Sequence, residues 1–213
     1  DSEMIFRRCL FTNNTNTGFH GGGAILALAA DPFVVEDCDF IANSAFGTNN
    51  GSNGGGGTGG GISARLGGHA EVSGSTFVDN FATGEGAVYL RDGLVSTWTD
   101  CRFEGNSCSW ASGAFGMTST DGPDGGCQTT LTRCLFTENS TSGPTTGPSV
   151  LFTGPYEETF IQDCLFLDNG GPGNVIRNQG GDQLGISDTV FCGNVGPDVS
   201  GGFDDLGGNT FST

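Results

Sequence analysis

A short pattern of apolar and polar positions recurs along the whole chain. Its centre is a phenylalanine that is followed three residues later by an asparagine, and a small residue lies two positions before the phenylalanine. Another apolar residue lies three positions before the small one, and a polar pair separates them. Because side chains two residues apart share one face of a strand, the small residue and the phenylalanine are predicted to point together into a core.

The pattern occurs seven times, and its positions define predicted structural ladders. The phenylalanines are Phe11, Phe40, Phe77, Phe103, Phe136, Phe166 and Phe191. The asparagines are Asn14, Asn43, Asn80, Asn106, Asn139, Asn169 and Asn194. The small position is occupied by Cys9, Cys38, Ser75, Cys101, Cys134, Cys164 and Thr189.

Each copy changes parity twice, which predicts two corners. The polar pair, such as Thr99-Asp100 before Cys101, supplies the first corner. The asparagine marks the second, because asparagine tolerates turn conformations and bonds nearby backbone. A variable Gly-rich stretch then leads to another short strand, which is clearest at residues 21–27.

These elements predict an all-β fold, a right-handed, single-stranded parallel β-helix of about seven coils with Gly-rich corner insertions. The phenylalanines are 25 to 37 residues apart, which is too short for a propeller blade of about 40–45 residues. No stretch shows the 3.6-residue periodicity of a helical repeat. We expect residues 1–213 to form one domain, whose coils are centred near the seven phenylalanines and stack Phe on Phe and Asn on Asn.

The repeat also resembles known families. Phe-x-x-Asn together with Gly-Gly-Ala-Ile at residues 22–25 is similar to the repeats of chlamydial polymorphic outer-membrane proteins. More broadly, it resembles secreted, pectate-lyase-like β-helix proteins. The resemblance implies a β-helix that is secreted or on the cell surface, and the polymorphic proteins among these relatives imply adhesion.

Composition narrows the choice of partners. The chain has 24 acidic residues and 7 arginines, no lysine, and a net charge of −17. Such a charge argues against binding to nucleic acid or anionic membranes. The sequence contains no run of 18 apolar residues, so no insertion into a membrane is predicted. The charge is compatible with calcium or with neutral cell-surface glycans as partners.

The cysteines allow two interpretations. Five of the eight occupy the small inward position, where a thiol behaves as a small hydrophobe. Cys108, Cys127 and Cys192 lie outside that ladder. A Cys108–Cys127 disulfide is a candidate for an exported chain. A zinc site is not expected, since no Cys-x-x-Cys spacing occurs and only two histidines are present.

Metal and modification sites have weaker signals. Asp121 and Asp124 lie in a Gly-rich turn that could hold calcium, although the spacing differs from that of a regular calcium loop. No other cofactor is predicted. Three Asn-x-Ser/Thr sequons make Asn13, Asn50 and Asn139 candidates for glycosylation.

Three functions stay open at this point. The leading hypothesis is an extracellular structural or adhesive module, either a head-to-tail filament subunit that binds copies of itself or a fragment of a longer surface protein. The alternative is a secreted carbohydrate-active enzyme, a lyase or a hydrolase of the β-helix class. For such an enzyme the acid pairs Asp37/Asp39, Asp121/Asp124 and Asp204/Asp205 are the available carboxylates, but no residue is assigned a catalytic role. A passive glycan- or ice-binding face ranks last, because the outward rows are mixed.

Overall fold

The computed structural model describes residues 2–18, 21–47, 57–119, 122–143, 147–179 and 183–212. These residues form short β-strands and one 3-10 turn, Gly122–Gly125. The strands pair in parallel with their equivalents in neighbouring coils. The predicted all-β fold of stacked parallel coils is therefore confirmed.

Each full coil passes through four parallel sheets, here numbered 1 to 4 in chain order. In the described residues, sheets 1 and 2 have eight strands each, sheet 3 has five and sheet 4 has seven, which agrees roughly with about seven coils. Sheet 1 contains β1 (Ser2–Arg7), β5 (Ala30–Glu36), β9 (His69–Ser73), β13 (Val95–Thr99), β17 (Gln128–Thr132), β21 (Glu158–Gln162), β24 (Leu184–Ser187) and β27 (Asp204–Asp205).

The other sheets have shorter strands. Sheet 2 contains β2 (Leu10–Thr12), β6 (Asp39–Ile41), β10 (Thr76–Val78), β14 (Arg102–Glu104), β18 (Leu135–Thr137), β22 (Leu165–Leu167), β25 (Val190–Cys192) and β28 (Thr210–Ser212). Sheet 3 contains β3 (Thr15–Asn16), β7 (Ser44–Ala45), β11 (Phe81–Ala82), β15 (Ser107–Cys108) and β19 (Ser140–Thr141). Sheet 4 contains β4 (Ile25–Leu28), β8 (Ile62–Arg65), β12 (Val88–Arg91), β16 (Phe115–Thr118), β20 (Leu151–Thr153), β23 (Ile176–Asn178) and β26 (Val199–Ser200).

Single left-handed residues make the corners on both sides of sheet 2. The residue before each small inward position has a φ near +50°, as at Asp100 (φ 55°) and Arg133 (φ 52°). The residue before each ladder asparagine behaves in the same way, as at Asp79 (φ 53°) and Gly105 (φ 61°). Glycine adopts this conformation without strain, and aspartate and asparagine tolerate it better than most residues, which explains why these types are frequent at both corners.

The phenylalanines form one continuous column inside the solenoid. Neighbouring ring centroids from Phe11 to Phe191 lie 4.7–4.8 Å apart, with interplanar angles of 2–8°. Phe211 adds an eighth ring, 5.0 Å from that of Phe191. Such stacking follows directly from the strand spacing in a parallel sheet, about 4.8 Å.

The ladder asparagines connect three coils at once. The backbone N–H and the Nδ2 of Asn80 both donate to Oδ1 of Asn106 in the next coil, each at 3.0 Å. Nδ2 of Asn80 also donates to the backbone oxygen of Phe40 in the preceding coil, at 2.9 Å. The same pattern repeats from Asn43 to Asn169, so these buried amides have partners and the coils are held in register.

The cysteines are all free thiols, which corrects the predicted Cys108–Cys127 disulfide. Cys108 lies in β15 of sheet 3, whereas Cys127 directly precedes β17 of sheet 1, so the two residues are held on different sides of the coil. Inward cysteines instead accept hydrogen bonds from the preceding ladder position. The backbone N–H of Cys134, for example, donates to Sγ of Cys164 at 3.3 Å.

We expect Phe103→Ala to lower the free energy of unfolding by about 3–5 kcal/mol, because it leaves a cavity in the column. Phe103 is fully buried and stacks on both Phe77 and Phe136. Phe160→Ala is the matched control, since that ring is 42% exposed, and it should change the stability much less. Denaturant titration of both variants measures the difference, and equal losses would contradict the stacked core.

Candidate functional site

The outer face of sheet 4 is unusual because several of its outward side chains are buried. Ser63 is inaccessible to solvent, Tyr89 is 2% exposed and Arg65 is 8% exposed. The outward residues of β9 in sheet 1 are exposed, as expected for a solvated sheet. This face therefore has the enclosed environment that a binding site requires.

Two arginines lie side by side on this face. In the pairing of β8 with β12, Arg65 is directly opposite Arg91, so two positive charges are brought within one strand spacing. The Nε of Arg91 lies 2.9 Å from Oδ2 of Asp92. The guanidinium carbon of Arg65 lies 5.2 Å from the centroid of the Tyr89 ring, an arrangement that favours a cation. Both contacts offset the repulsion between the arginines.

The position of Arg65 is fixed by further hydrogen bonds. Its Nη2 donates to Oγ1 of Thr58 at 2.9 Å, and its Nε donates to Oγ of Ser63 at 3.3 Å. Burial lowers the pKa of Arg65 from its usual value, but an arginine stays protonated at physiological pH. The guanidinium is thus a permanent, oriented charge.

A pocket of about 280 Å³ opens beside the two arginines. It is lined by Leu28, Arg65, Leu66, Arg91 and Asp92. The leucines give it apolar walls, and the charged side chains give it hydrogen-bonding groups, a combination that is typical of small-ligand sites.

Glu85 lies in the corner that precedes β12 and interacts with both pocket arginines. Glu85 is buried, and its Oε2 has no hydrogen-bond partner among the described residues. Burial raises the pKa of Glu85 to about 7, although the nearby Arg65 and Arg91 act in the opposite direction. The carboxyl group therefore changes its charge near neutral pH.

Gly116 makes room for Glu85. In β16, Gly116 is opposite Tyr89, and a Cβ at this glycine would lie 2.3 Å from Cγ of Glu85. Any other residue would displace the buried carboxyl. Tyr89 itself is held by a 2.6 Å hydrogen bond between its hydroxyl and Oγ1 of Thr118, and burial raises the pKa of Tyr89.

A second buried acid, Glu157, lies in a different corner, directly before β21 of sheet 1. Its Oε2 accepts a hydrogen bond from the backbone N–H of Cys127, and its Oε1 has no partner among the described residues. Burial raises the pKa of Glu157 to about 7, and the charge of Asp92 adds to this effect. Burial also raises the pKa of Cys127 to about 12, so this thiol is not an activated nucleophile.

The predicted metal site is only partly described. Asp121 lies outside the described residues, and Asp124 lies in the turn Gly122–Gly125. Among the described residues there is no group of three or more His, Cys, Asp or Glu that could hold a metal ion. Calcium binding at this turn stays a prediction.

The remaining acid pairs have roles in local structure. The carboxylate of Asp39 accepts a hydrogen bond from the hydroxyl of Thr76 in the next coil. Asp37 is a left-handed corner residue, with a φ of 52°. Oδ1 of Asp205 accepts hydrogen bonds from Gly207 N–H at 3.0 Å and from Asn209 Nδ2 at 2.8 Å, which stabilises a turn.

The three sequons have different outcomes. Asn50 lies outside the described residues. Asn13 is exposed, and glycosylation there stays a prediction. Asn139 is fully buried, and its Nδ2 donates to Oδ1 of Asn169 at 3.1 Å. A glycan on this nitrogen is incompatible with the folded ladder, so the prediction for Asn139 is wrong.

The pocket residues were missed by the sequence analysis, although a signal for two of them exists. Arg65 and Arg91 are 26 residues apart, the same separation as Phe77 and Phe103. Aligning the second strands by the phenylalanine repeat would have placed the arginines in register. Glu85 had no comparable signal, because its burial depends on the space above a glycine in another coil.

Comparisons with known proteins add no identification. No family model matches the chain, and the searches of curated proteins and of solved structures found no significant match. In the part of the chain that the structure describes, no helix has the length and apolar character needed to cross a membrane.

We expect stability to fall as the pH rises from about 4.5 to about 7, the interval between the usual pKa of a glutamate and that of folded Glu85. In this interval the folded state binds more protons than the unfolded state, so raising the pH favours unfolding. Glu85→Gln should remove part of this decrease in the free energy of unfolding. The part removed is up to about 3 kcal/mol over the interval, at about 1.4 kcal/mol for each unit of difference in pKa. Denaturant titrations at several pH values in this interval measure the free energy of unfolding, with Glu71→Gln, at an exposed position, as control. If Glu85→Gln depends on pH as the natural chain does, Glu85 is not a buried acid with a raised pKa.

Proposed function

We propose that this chain is an extracellular adhesive β-helix module that presents the sheet 4 pocket to saccharides on another surface. The observation that carries the proposal is the pocket itself, in which Arg65 and Arg91 lie beside the apolar walls of Leu28 and Leu66. Apolar walls can contact the C–H faces of a sugar ring, and arginines donate hydrogen bonds to its oxygens in a fixed geometry.

The rigidity of the scaffold supports this proposal. The two arginines lie on neighbouring strands that are hydrogen-bonded in register, so little conformational freedom is lost when a ligand binds. A single pocket of this size is expected to bind a saccharide weakly. Adhesion would then come from many modules that bind one surface at once, which raises the overall affinity without new contacts.

The repeat sequence supports the proposed location. Its resemblance to chlamydial polymorphic outer-membrane proteins and to pectate-lyase-like proteins favours a secreted or surface-exposed chain. The net charge of −17 keeps such a repetitive β-protein soluble. A carbohydrate-active enzyme of the β-helix class is the alternative, because a glutamate with a raised pKa is a suitable general acid. Glu85, however, does not line the pocket.

We expect the chain, coupled to beads, to bind a surface coated with saccharides, and Arg91→Gln to weaken this binding about tenfold by removing a charged hydrogen-bond donor. Arg102→Gln is the matched control, because Arg102 is exposed on sheet 2 and pairs with Glu104. Bound beads are counted on neutral and acidic polysaccharides, and released reducing ends are assayed in the same samples. Equal binding by both variants would show that the pocket is not the saccharide-binding site. Release of reducing ends would favour the alternative, a carbohydrate-active enzyme.

A structural role is a second candidate, supported by the exposed ends of the phenylalanine column. Phe211 is 45% exposed, and Phe11 is only partly buried. Among the described residues, the strands β1 and β2 are outermost in their sheets. Such edges can pair with further coils of a longer chain or with another copy to form a filament. Asp205 opposes this contact, since it is paired with Ile186 and so places a charge in an apolar row.

We expect Asp205→Ile to increase end-to-end association, because it continues the apolar row that ends at Ile186 and removes an edge charge that opposes pairing. Asp205→Asn is the control, because it removes the same charge and keeps an Oδ1 that can accept the hydrogen bonds from Gly207 and Asn209, and it should have a smaller effect. Sedimentation velocity over a range of concentrations gives the mass distribution. If Asp205→Ile sediments as a monomer at every concentration, the filament hypothesis is contradicted.

A further inference from the structure

We propose that the sheet 4 pocket binds the carboxylate group of an acidic saccharide, and that the buried Glu85 carboxyl determines the pH range of this binding. The inference rests on the proposed function only in taking this pocket as the ligand site. It adds the charge of the ligand and a means of regulation.

The charges around the pocket match a ligand with one negative charge. Arg65 and Arg91 contribute two positive charges, and Asp92 contributes one negative charge. When Glu85 is protonated, this group of side chains has a net charge of +1. A carboxylate neutralises it, whereas a phosphate dianion would leave an excess negative charge in a partly buried site. The planar fork of an arginine also fits the two oxygens of a carboxylate.

The acidic surface of the protein does not prevent this binding. The net charge of −17 is distributed over the whole chain, and salt screens exposed charges beyond about 8 Å at physiological ionic strength. The pocket charges act at shorter range and in a less polar environment, where an electrostatic interaction is stronger. Local charge therefore dominates the affinity for a bound anion.

Glu85 is placed to change the charge of the pocket without touching the ligand. Its carboxyl lies close enough to Arg65 and Arg91 to interact with both, and it does not line the pocket. The β16 strand contributes no titratable group, since Gly116 and Thr118 face this region. The charged or titratable groups that interact with it are Arg65, Tyr89, Arg91 and Cys108.

The sign of the pH effect follows from this arrangement. The pKa of Glu85 is raised to about 7, so the carboxyl is neutral at lower pH and ionised at higher pH. Ionised Glu85 cancels the net positive charge of the pocket side chains. The affinity for a carboxylate should therefore fall as the pH rises through about 7, while the affinity for a neutral sugar should stay constant.

The test is an NMR titration of the intact chain with glucuronate, glucose and inorganic phosphate at about pH 5.5 and about pH 8.5. We expect glucuronate to bind best at the lower pH and its affinity to drop about tenfold at the higher pH, as expected for one charge at a partly screened distance. Glu85→Gln should keep the affinity measured at the lower pH at both pH values. Glu157→Gln is the comparison, because its pKa is also raised to about 7 and, of the pocket side chains, it interacts with Asp92. Glu85 interacts with both arginines, so Glu157→Gln should keep most of the pH dependence.

The possible failures are distinguishable. If glucose binds as well as glucuronate, a saccharide site stands and the carboxylate inference fails. If phosphate binds more tightly than glucuronate, the charge argument is wrong. If the pH dependence is lost in Glu157→Gln but not in Glu85→Gln, Glu157 determines the pH range, and the inference about Glu85 is wrong. If no sugar shifts any resonance of the folded chain, the inference and the proposed function both fail.

Discussion

The asparagine ladder is the constraint on which the rest of this structure depends. Each buried amide bonds the next coil through Asn Oδ1 and the preceding coil through a phenylalanine carbonyl, as Asn80 does with Asn106 and Phe40. A slip of one residue between coils would leave these groups unpaired, at about 1–3 kcal/mol for each buried polar atom. The amides therefore select one register, and the phenylalanine column provides the apolar burial that makes the register stable.

A fixed register also explains how like charges come together on the outer surface. Once the coils are aligned, Arg65 must lie beside Arg91, whatever their mutual repulsion. The surrounding groups make this tolerable, since Asp92 pairs with one arginine and the ring of Tyr89 lies beneath the other. The stability of the core thus holds in place a charged arrangement that would not form by itself.

Burial gives this arrangement its chemical character. Exposed acids elsewhere on the solenoid form corners and surface ion pairs, such as Asp100 with Arg133, which contribute about 0–1 kcal/mol each. Glu85 and Glu157 are enclosed instead, and each has a carboxylate oxygen without a described partner. Removing water disfavours their ionised forms, so a protein with 24 acids has at least two that respond to pH near neutrality.

The sequence by itself determined the all-β class, the stacked coils, and the rows of phenylalanine and asparagine, because a repeated local pattern leaves equivalent residues above one another. It did not determine the pairing state of Cys108 and Cys127, the inaccessibility of Asn139 to a glycan, or the pocket. Those depend on distances between coils and on what each loop covers. The burial of Glu85 is the clearest case, since it requires a glycine 31 residues further along the chain, and only the packed solenoid brings Gly116 beneath that carboxyl group.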